Sequence, residues 1–213
     1  MPNRPGALSL GHTTPVLIAC AAFAVTPGHW FSLPLAAAGI GLVAGSTTLL
    51  VLPSDLRVSM TAPITTGVSF ILVGGLVGML DIPPDRAAAT TLALLVVVTL
   101  SAPWVAMAQL PTTIGTSREN ERIDPARVYS RVGNARVLVI SLKAGCSAAM
   151  MVLAPLMTTS PTAITMLACV GLALMLATRS LRSSVEVVIG VLTGMLLTIV
   201  AAVATTTVIP DQY

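Results

Sequence analysis

Two ionisable residues, Lys143 and Glu186, lie within or beside long apolar runs of this sequence. Charged groups at such positions can relay protons, hold ions or attack substrates, so they are the first candidates for chemistry. Lys143 also has a simpler interpretation, because its long side chain can reach the headgroup region from about two turns inside a membrane span. Glu186 has one too, since a carboxylate near the start of a helix is stabilised by the helix dipole. We favour the simpler interpretation for both residues.

The other candidates for catalysis or metal binding are scattered along the chain. His12 and His29 lie near the ends of apolar runs, and His29 precedes Trp30, which is typical of an interfacial anchor. The cysteines lie inside apolar runs without a CxxC pair or a histidine at ligand spacing, which favours buried apolar roles. They are Cys20, Cys146 and Cys169. No hydrolase, protease or nucleotide-binding motif occurs, so we predict no enzyme activity, no cofactor and no metal site.

The composition rules out a soluble surface. Of the 213 residues, 55% are hydrophobic and only 9% are charged, and the mean hydropathy is +0.93. A soluble domain has about one quarter charged residues. The net charge of +3 would suit nucleic acid, but no aromatic platform lies beside the basic residues. We therefore predict an all-α, polytopic membrane protein that does not bind nucleic acid.

Seven apolar runs are separated by polar or proline-containing breaks, and each is long enough, or nearly so, to cross a bilayer as a helix. The first is the weakest, because Pro15 and Pro27 bracket a short apolar core. The runs predict a first membrane half of four spans over residues 1–109 and a second half of three spans over residues 135–213. They cover residues 13–29, 34–52, 62–80, 87–109, 135–157, 161–178 and 185–208.

Residues 110–134, the longest polar break, are predicted to be a basic cytoplasmic linker with a short amphipathic helix. Asp124 and Pro125 are typical of an N-cap and a first helical residue, and the helix can continue into the fifth run. Two interpretations of its arginines remain open: contact with anionic lipid, or docking of a cytoplasmic partner. The candidates for lipid or partner contact are Arg127, Arg131, Arg136, Lys143, Arg179 and Arg182.

The arginines also predict the orientation of the chain. Lys and Arg are retained on the cytoplasmic side of short loops. With seven spans and a cytoplasmic N-terminus, every arginine except Arg86 lies on the cytoplasmic side, whereas the opposite orientation would export almost all of them. We therefore predict that the N-terminus is cytoplasmic and the C-terminus is outside.

Small residues are abundant in the apolar runs, and three of the runs contain a GxxxG motif. Such faces let helix backbones approach closely, which is how helices associate in a bilayer. The motifs predict helix packing, either within the chain or between subunits. They are formed by Gly41 and Gly45, by Gly74 and Gly78, and by Gly190 and Gly194.

The order of these features resembles the EccD membrane components of mycobacterial type VII (ESX) secretion systems. Four spans end in "PWVAMAQLPT", a charged linker follows, and "ARVYSRVGNARVLVISLKAG" enters the next span. A basic hinge in "LALMLATRSLRSSVEVVIGVLTG" then separates two further spans, as in that family. The family has an N-terminal ubiquitin-like domain and eleven spans, and these seven would correspond to its third to ninth.

The resemblance implies a non-enzymatic scaffold in the bacterial inner membrane. EccD subunits dimerise around a lipid-filled space and pack with EccB, EccC and EccE, so we expect a homodimer, the same kinds of partner and membrane lipids here. A small-solute permease is the alternative function. It would need a polar pathway, for which the spans offer only Ser and Thr hydroxyls and Lys143.

Overall fold

The computed structural model describes residues 15–24, 32–49, 58–108, 125–178 and 184–208. Within these ranges the regular structure is entirely helical, which confirms the predicted all-α fold. Short 3₁₀ segments, Val58–Met60 and Ala154–Met157, lie before the third α-helix and after the fifth. The α-helices are α1 (Pro15–Ala24), α2 (Ser32–Leu49), α3 (Thr61–Leu80), α4 (Pro84–Ala108), α5 (Pro125–Leu153), α6 (Pro161–Ala177) and α7 (Ser184–Val208).

Four of the described helices, α3, α4, α5 and α7, are long and apolar enough to cross a membrane. A helix of about 20 residues spans the roughly 30 Å of hydrocarbon at about 1.5 Å per residue. The apolar parts of α1, α2 and α6 are shorter, at 10 to 17 residues. The polytopic fold is therefore present, while the number of crossings, seven, stays a prediction.

The helix α5 begins at Pro125 and runs without a break to Leu153. It therefore joins the second part of the polar linker to the fifth apolar run, as the sequence indicated. The expected N-cap, Asp124, lies outside the described residues. Gly133 and Asn134 are exposed on this helix, and the helix continues through them.

Short turns connect α3 to α4 and α5 to α6. Asp81 closes α3 in the left-handed region (φ 51°), and its N–H donates to the Leu76 carbonyl oxygen. Before α6, the Ser160 hydroxyl accepts from the Ala163 N–H, and Pro161 occupies the first turn. The serine hydroxyl satisfies one of the free N–H groups of the first turn, and proline in that turn has no N–H to satisfy. Helix α6 can therefore begin directly after a short link.

The helix α5 is central in the described bundle, because it contacts α3, α4 and α7, while α2 packs on α3 and α6 packs on α7. The helices before and after the linker therefore share one core. Between α3 and α5, the Thr66 hydroxyl lies 3.0 Å from the Gly145 carbonyl oxygen. The largest fully buried core side chains include Leu92, Met150, Leu153, Met157, Leu167 and Leu197.

Candidate functional site: a buried ion pair in a helical cleft

Lys143 and Glu186 form an ion pair between α5 and α7. The Lys143 Nζ donates to the Glu186 Oε2 at 2.5 Å. The side chains are 7% and 13% exposed, so the charges are largely removed from the surroundings of the bundle. In the sequence each residue has a separate local explanation, whereas the structure brings the two side chains together.

Each helix contributes its charge for a local reason. Glu186 lies in the first turn of α7, where the helix dipole favours a carboxylate. Lys143 lies well inside α5, and its aliphatic stem crosses apolar surroundings before the ammonium meets the carboxylate. Burying two charges costs desolvation free energy, but removing one partner costs more, about 3–5 kcal/mol, because the other charge is left buried and unpaired. The pair therefore holds α5 and α7 in one register.

The ion pair lines a cleft of about 110 Å³ where α4, α5, α6 and α7 meet. Around the charges the walls carry hydroxyl groups from three helices, namely those of Thr99, Ser147 and Thr178. The end of α4, the end of α6 and the start of α7 thus reach the same level of the bundle. This is the arrangement expected of helices that alternate in direction.

Pro103 changes the backbone chemistry of this cleft. It lies inside α4, and proline has no N–H to donate to the carbonyl of Thr99, its normal partner one turn earlier. The Thr99 hydroxyl donates to the Leu95 carbonyl oxygen at 2.7 Å, and the Thr178 hydroxyl donates to that of Met175 at 2.6 Å. Because each hydroxyl donates its hydrogen to a carbonyl about one turn earlier in the chain, its oxygen can act in the cleft mainly as an acceptor.

The structure describes only some of the predicted basic contacts. Arg127 and Arg131 occupy the first turns of α5. Arg136 lies further along α5 with an exposed side chain. Arg179 and Arg182 fall outside the described residues. Of Lys143 and Arg136, the predicted contact residues whose side chains the structure describes, Lys143 lines the cleft.

The first GxxxG motif lies against α1. A β-carbon added at Gly41 would approach the Cα of Ala19 to 3.1 Å, and one added at Gly45 would approach that of Pro15 to 3.0 Å. Both distances are tighter than ordinary contact, so α1 and α2 can lie this close only because the side chains are absent.

The other two motifs differ in their surroundings. At Gly74 an added β-carbon would lie 2.6 Å from the Ser32 carbonyl oxygen, so this glycine packs against α2. At Gly190 an added β-carbon would lie 2.5 Å from the Thr178 Cγ2, so this glycine packs against the end of α6. At Gly194 it would lie 2.6 Å from the Gly171 carbonyl oxygen, so this glycine packs against the middle of α6. Gly78 has no described neighbour within 4 Å of that position.

Several of the closest backbone approaches involve glycines that sequence reasoning missed, and the tightest is that of Gly145 on α5 to the Ala62 carbonyl oxygen of α3. An added β-carbon at Gly39 would lie 2.5 Å from the Gly67 carbonyl oxygen, and one at Gly67 would lie 2.7 Å from that of Gly39. Gly171 and Gly194 make the same reciprocal approach between α6 and α7. A spacing of seven residues, which puts Gly67 and Gly74 on one face of α3, was the available signal.

The described residues contain no cluster of three or more His, Cys, Asp or Glu side chains that could hold a metal. Both histidines lie outside these residues. Cys146 is buried as expected, whereas Cys20 and Cys169 are exposed, so the prediction of burial was wrong for those two. A bundle that faces lipid tolerates a small apolar thiol on its outer surface as well as in its core.

The helices, their apolar exteriors and the described cleft define an α-helical membrane protein of the polytopic class. The family model of the EccD-like transmembrane domain matches residues 1–212. The chain therefore belongs to the family of EccD-like transmembrane domains.

A solved structure has the same fold. It is entitled "Structure of protomer 1 of the ESX-3 core complex" and superposes with a TM-score of 0.75 at 22% sequence identity. The match covers 96% of this chain and 50% of the other, so this chain spans about half the length of that protein. No curated protein matches the sequence.

Proposed function

We propose that this protein is a structural membrane subunit of a type VII protein secretion complex, where it scaffolds other subunits in the bacterial inner membrane. The observation that carries the proposal is the match of the EccD-like family model to residues 1–212. The shared fold with a protomer of the ESX-3 core complex supports it. The proposal includes no enzymatic activity.

The architecture favours a scaffold over the alternative, a small-solute transporter. Transporters typically bind their substrate between helices that are broken near the middle of the membrane. In the described bundle α4 continues through Pro103, and α3, α5 and α7 each run without interruption. Close glycine contacts between neighbouring helices also suit a rigid frame rather than one that rocks.

The proposed partners are a second copy of the chain, membrane lipids, and subunits of the EccB, EccC and EccE type. The start of α5 is the proposed contact for a cytoplasmic partner, since it carries Arg127, Arg131 and Arg136, and the Arg136 side chain is exposed. Arginine suits such an interface because its guanidinium binds carboxylates in a bidentate manner.

The test is a pull-down of the tagged full chain from its native membrane in mild detergent, followed by mass spectrometry. Recovery of subunits of the EccB, EccC and EccE type supports the scaffold. Recovery of the chain alone, or only as a homo-oligomer, contradicts it, and uptake of small solutes by vesicles containing the chain then becomes the next measurement.

A further inference from the structure

The ion pair in the cleft leaves hydrogen-bonding capacity unused. A lysine ammonium has three N–H donors and a carboxylate has several acceptor positions. In the part of the chain that the structure describes, Lys143 and Glu186 hydrogen-bond through one Nζ and one Oε2. No fully buried side-chain nitrogen or oxygen of the described residues lacks a hydrogen-bond partner. The second Glu186 oxygen is therefore accessible, and Lys143 and Glu186 both line the cleft. A polar group that enters the cleft can bind the ion pair there.

The charges of the cleft specify what kind of occupant fits. A cation and an anion lie side by side, so an added anion meets the repulsion of Glu186 and an added cation meets that of Lys143. A molecule with one negative and one positive group, a few ångströms apart, satisfies both charges. Thr99 also lines the cleft, and because Pro103 has no N–H, the Thr99 carbonyl oxygen has capacity to accept a hydrogen bond from the positive group.

The rim of the cleft is apolar. Leu100 is 51% exposed at the edge of α4. On α7, the lining residue Ile189 is followed at helical spacing by Leu192 and Leu196, which are 54% and 43% exposed. A volume of about 110 Å³ admits a small polar headgroup but not the rest of a lipid. The exposed strip on α7 would then carry the apolar part of the same molecule.

We propose that this cleft is a binding site for the headgroup of a zwitterionic phospholipid with a primary ammonium, of the phosphatidylethanolamine type. The lipid phosphate accepts hydrogen bonds from Lys143, and the lipid ammonium donates to Glu186 and to the Thr99 carbonyl. The acyl chains lie along Leu192 and Leu196. This site does not depend on the scaffold function, since every group in it belongs to one chain.

Native mass spectrometry of the full chain in mild detergent tests the proposal. After removal of co-purified lipid, the protein is titrated with phosphatidylethanolamine, phosphatidylcholine and phosphatidylglycerol of identical acyl chains. Phosphatidylcholine lacks ammonium N–H donors and phosphatidylglycerol lacks a cation. Because only phosphatidylethanolamine offers both a phosphate and ammonium N–H donors, we expect it to bind about tenfold more tightly than either, which corresponds to about 1.4 kcal/mol.

Two double variants separate binding from folding. Lys143→Met with Glu186→Leu replaces the pair by apolar groups, which buried sites often tolerate. This variant should bind the three lipids about equally. Lys143→Glu with Glu186→Lys keeps one charge of each sign and should retain the preference.

Three results would overturn the site. One is equal binding of phosphatidylglycerol, which would indicate an anion site. The second is a wild-type chain without lipid preference, which would indicate that water alone fills the cleft. The third is an apolar double variant that keeps the full preference for phosphatidylethanolamine.

Discussion

A lysine at the position of Lys143 is tolerated because a carboxylate from another helix meets it. The ammonium lies inside α5, where a lone charge would be strongly disfavoured. Glu186 removes that penalty in part, and it does so from the first turn of α7, where the helix dipole already stabilises a negative charge. One contact thus ties two helices whose sequences are separated by the whole of α6.

We expect Lys143→Met alone to destabilise the bundle by about 3 kcal/mol, because Glu186 is left buried without its cation. The double variant Lys143→Met with Glu186→Leu should recover most of this loss. Thermal unfolding in detergent, followed by circular dichroism, measures both. If the double variant unfolds at the same temperature as the single variant, the pair does not hold α5 to α7.

The sequence identified Lys143 and Glu186 as the charged candidates, but it did not predict that they form an ion pair. Each charge had a sufficient local explanation, snorkelling for Lys143 and helix-dipole stabilisation for Glu186. Their pairing depends on the rotation of α5 against α7, which is set by tertiary packing and leaves no local pattern. The same is true of Cys20 and Cys169, since an apolar environment in sequence does not distinguish a core position from a lipid-facing one.

Glycines determine how closely the helices can approach one another. Gly39 and Gly67 face each other across α2 and α3, and Gly171 and Gly194 do so across α6 and α7. Motif spacing within one helix predicted that some glycines pack, and Gly41, Gly45, Gly74, Gly190 and Gly194 do lie at close contacts. The spacing carries no information about the partner helix, so it missed Gly39, Gly67, Gly145 and Gly171, and it included Gly78, which has no described neighbour within 4 Å.

Two glycines of α3 give a matched comparison. At Gly67 an added methyl group meets the Gly39 carbonyl oxygen at 2.7 Å, whereas Gly75 has no neighbour within 4 Å among the described residues. We expect Gly67→Ala to cost about 1–3 kcal/mol through overpacking. Gly75→Ala should be neutral or stabilising by up to about 1 kcal/mol, since alanine favours a helix. Melting temperatures in detergent decide, and equal losses in both variants would exclude close approach as the cause.

The start of α5 is the element on which partner binding can be tested separately from folding. We expect a triple charge reversal, Arg127→Glu with Arg131→Glu and Arg136→Glu, to reduce co-purification of cytoplasmic partner subunits about tenfold, because charge-assisted contacts become repulsive. Arg86→Glu, at an exposed position on α4, is the control. Unchanged co-purification at an unchanged membrane level would show that this face does not dock a partner.

Two observations bear on the direction in which each helix crosses the membrane. The arginine distribution predicts that the end of α4, the end of α6 and the start of α7 all face the cytoplasm. Packing brings the same three regions together around one cleft, which is an observation separate from the arginine distribution. The relative directions of the described helices agree with this prediction, while the side of the membrane that each end faces stays a prediction.

The predicted orientation of the chain in the membrane can be tested by cysteine labelling. In a chain whose cysteines are replaced by alanine, we expect Thr159→Cys, in the turn before α6, to react with a membrane-impermeant maleimide in intact cells. Ser117→Cys, in the linker, should react only after permeabilisation, since the flanking arginines hold the linker on the cytoplasmic side. The reverse labelling would invert the topology, and labelling of both sites in intact cells would mean an even number of crossings between them. Either result would move the basic start of α5 away from every cytoplasmic partner.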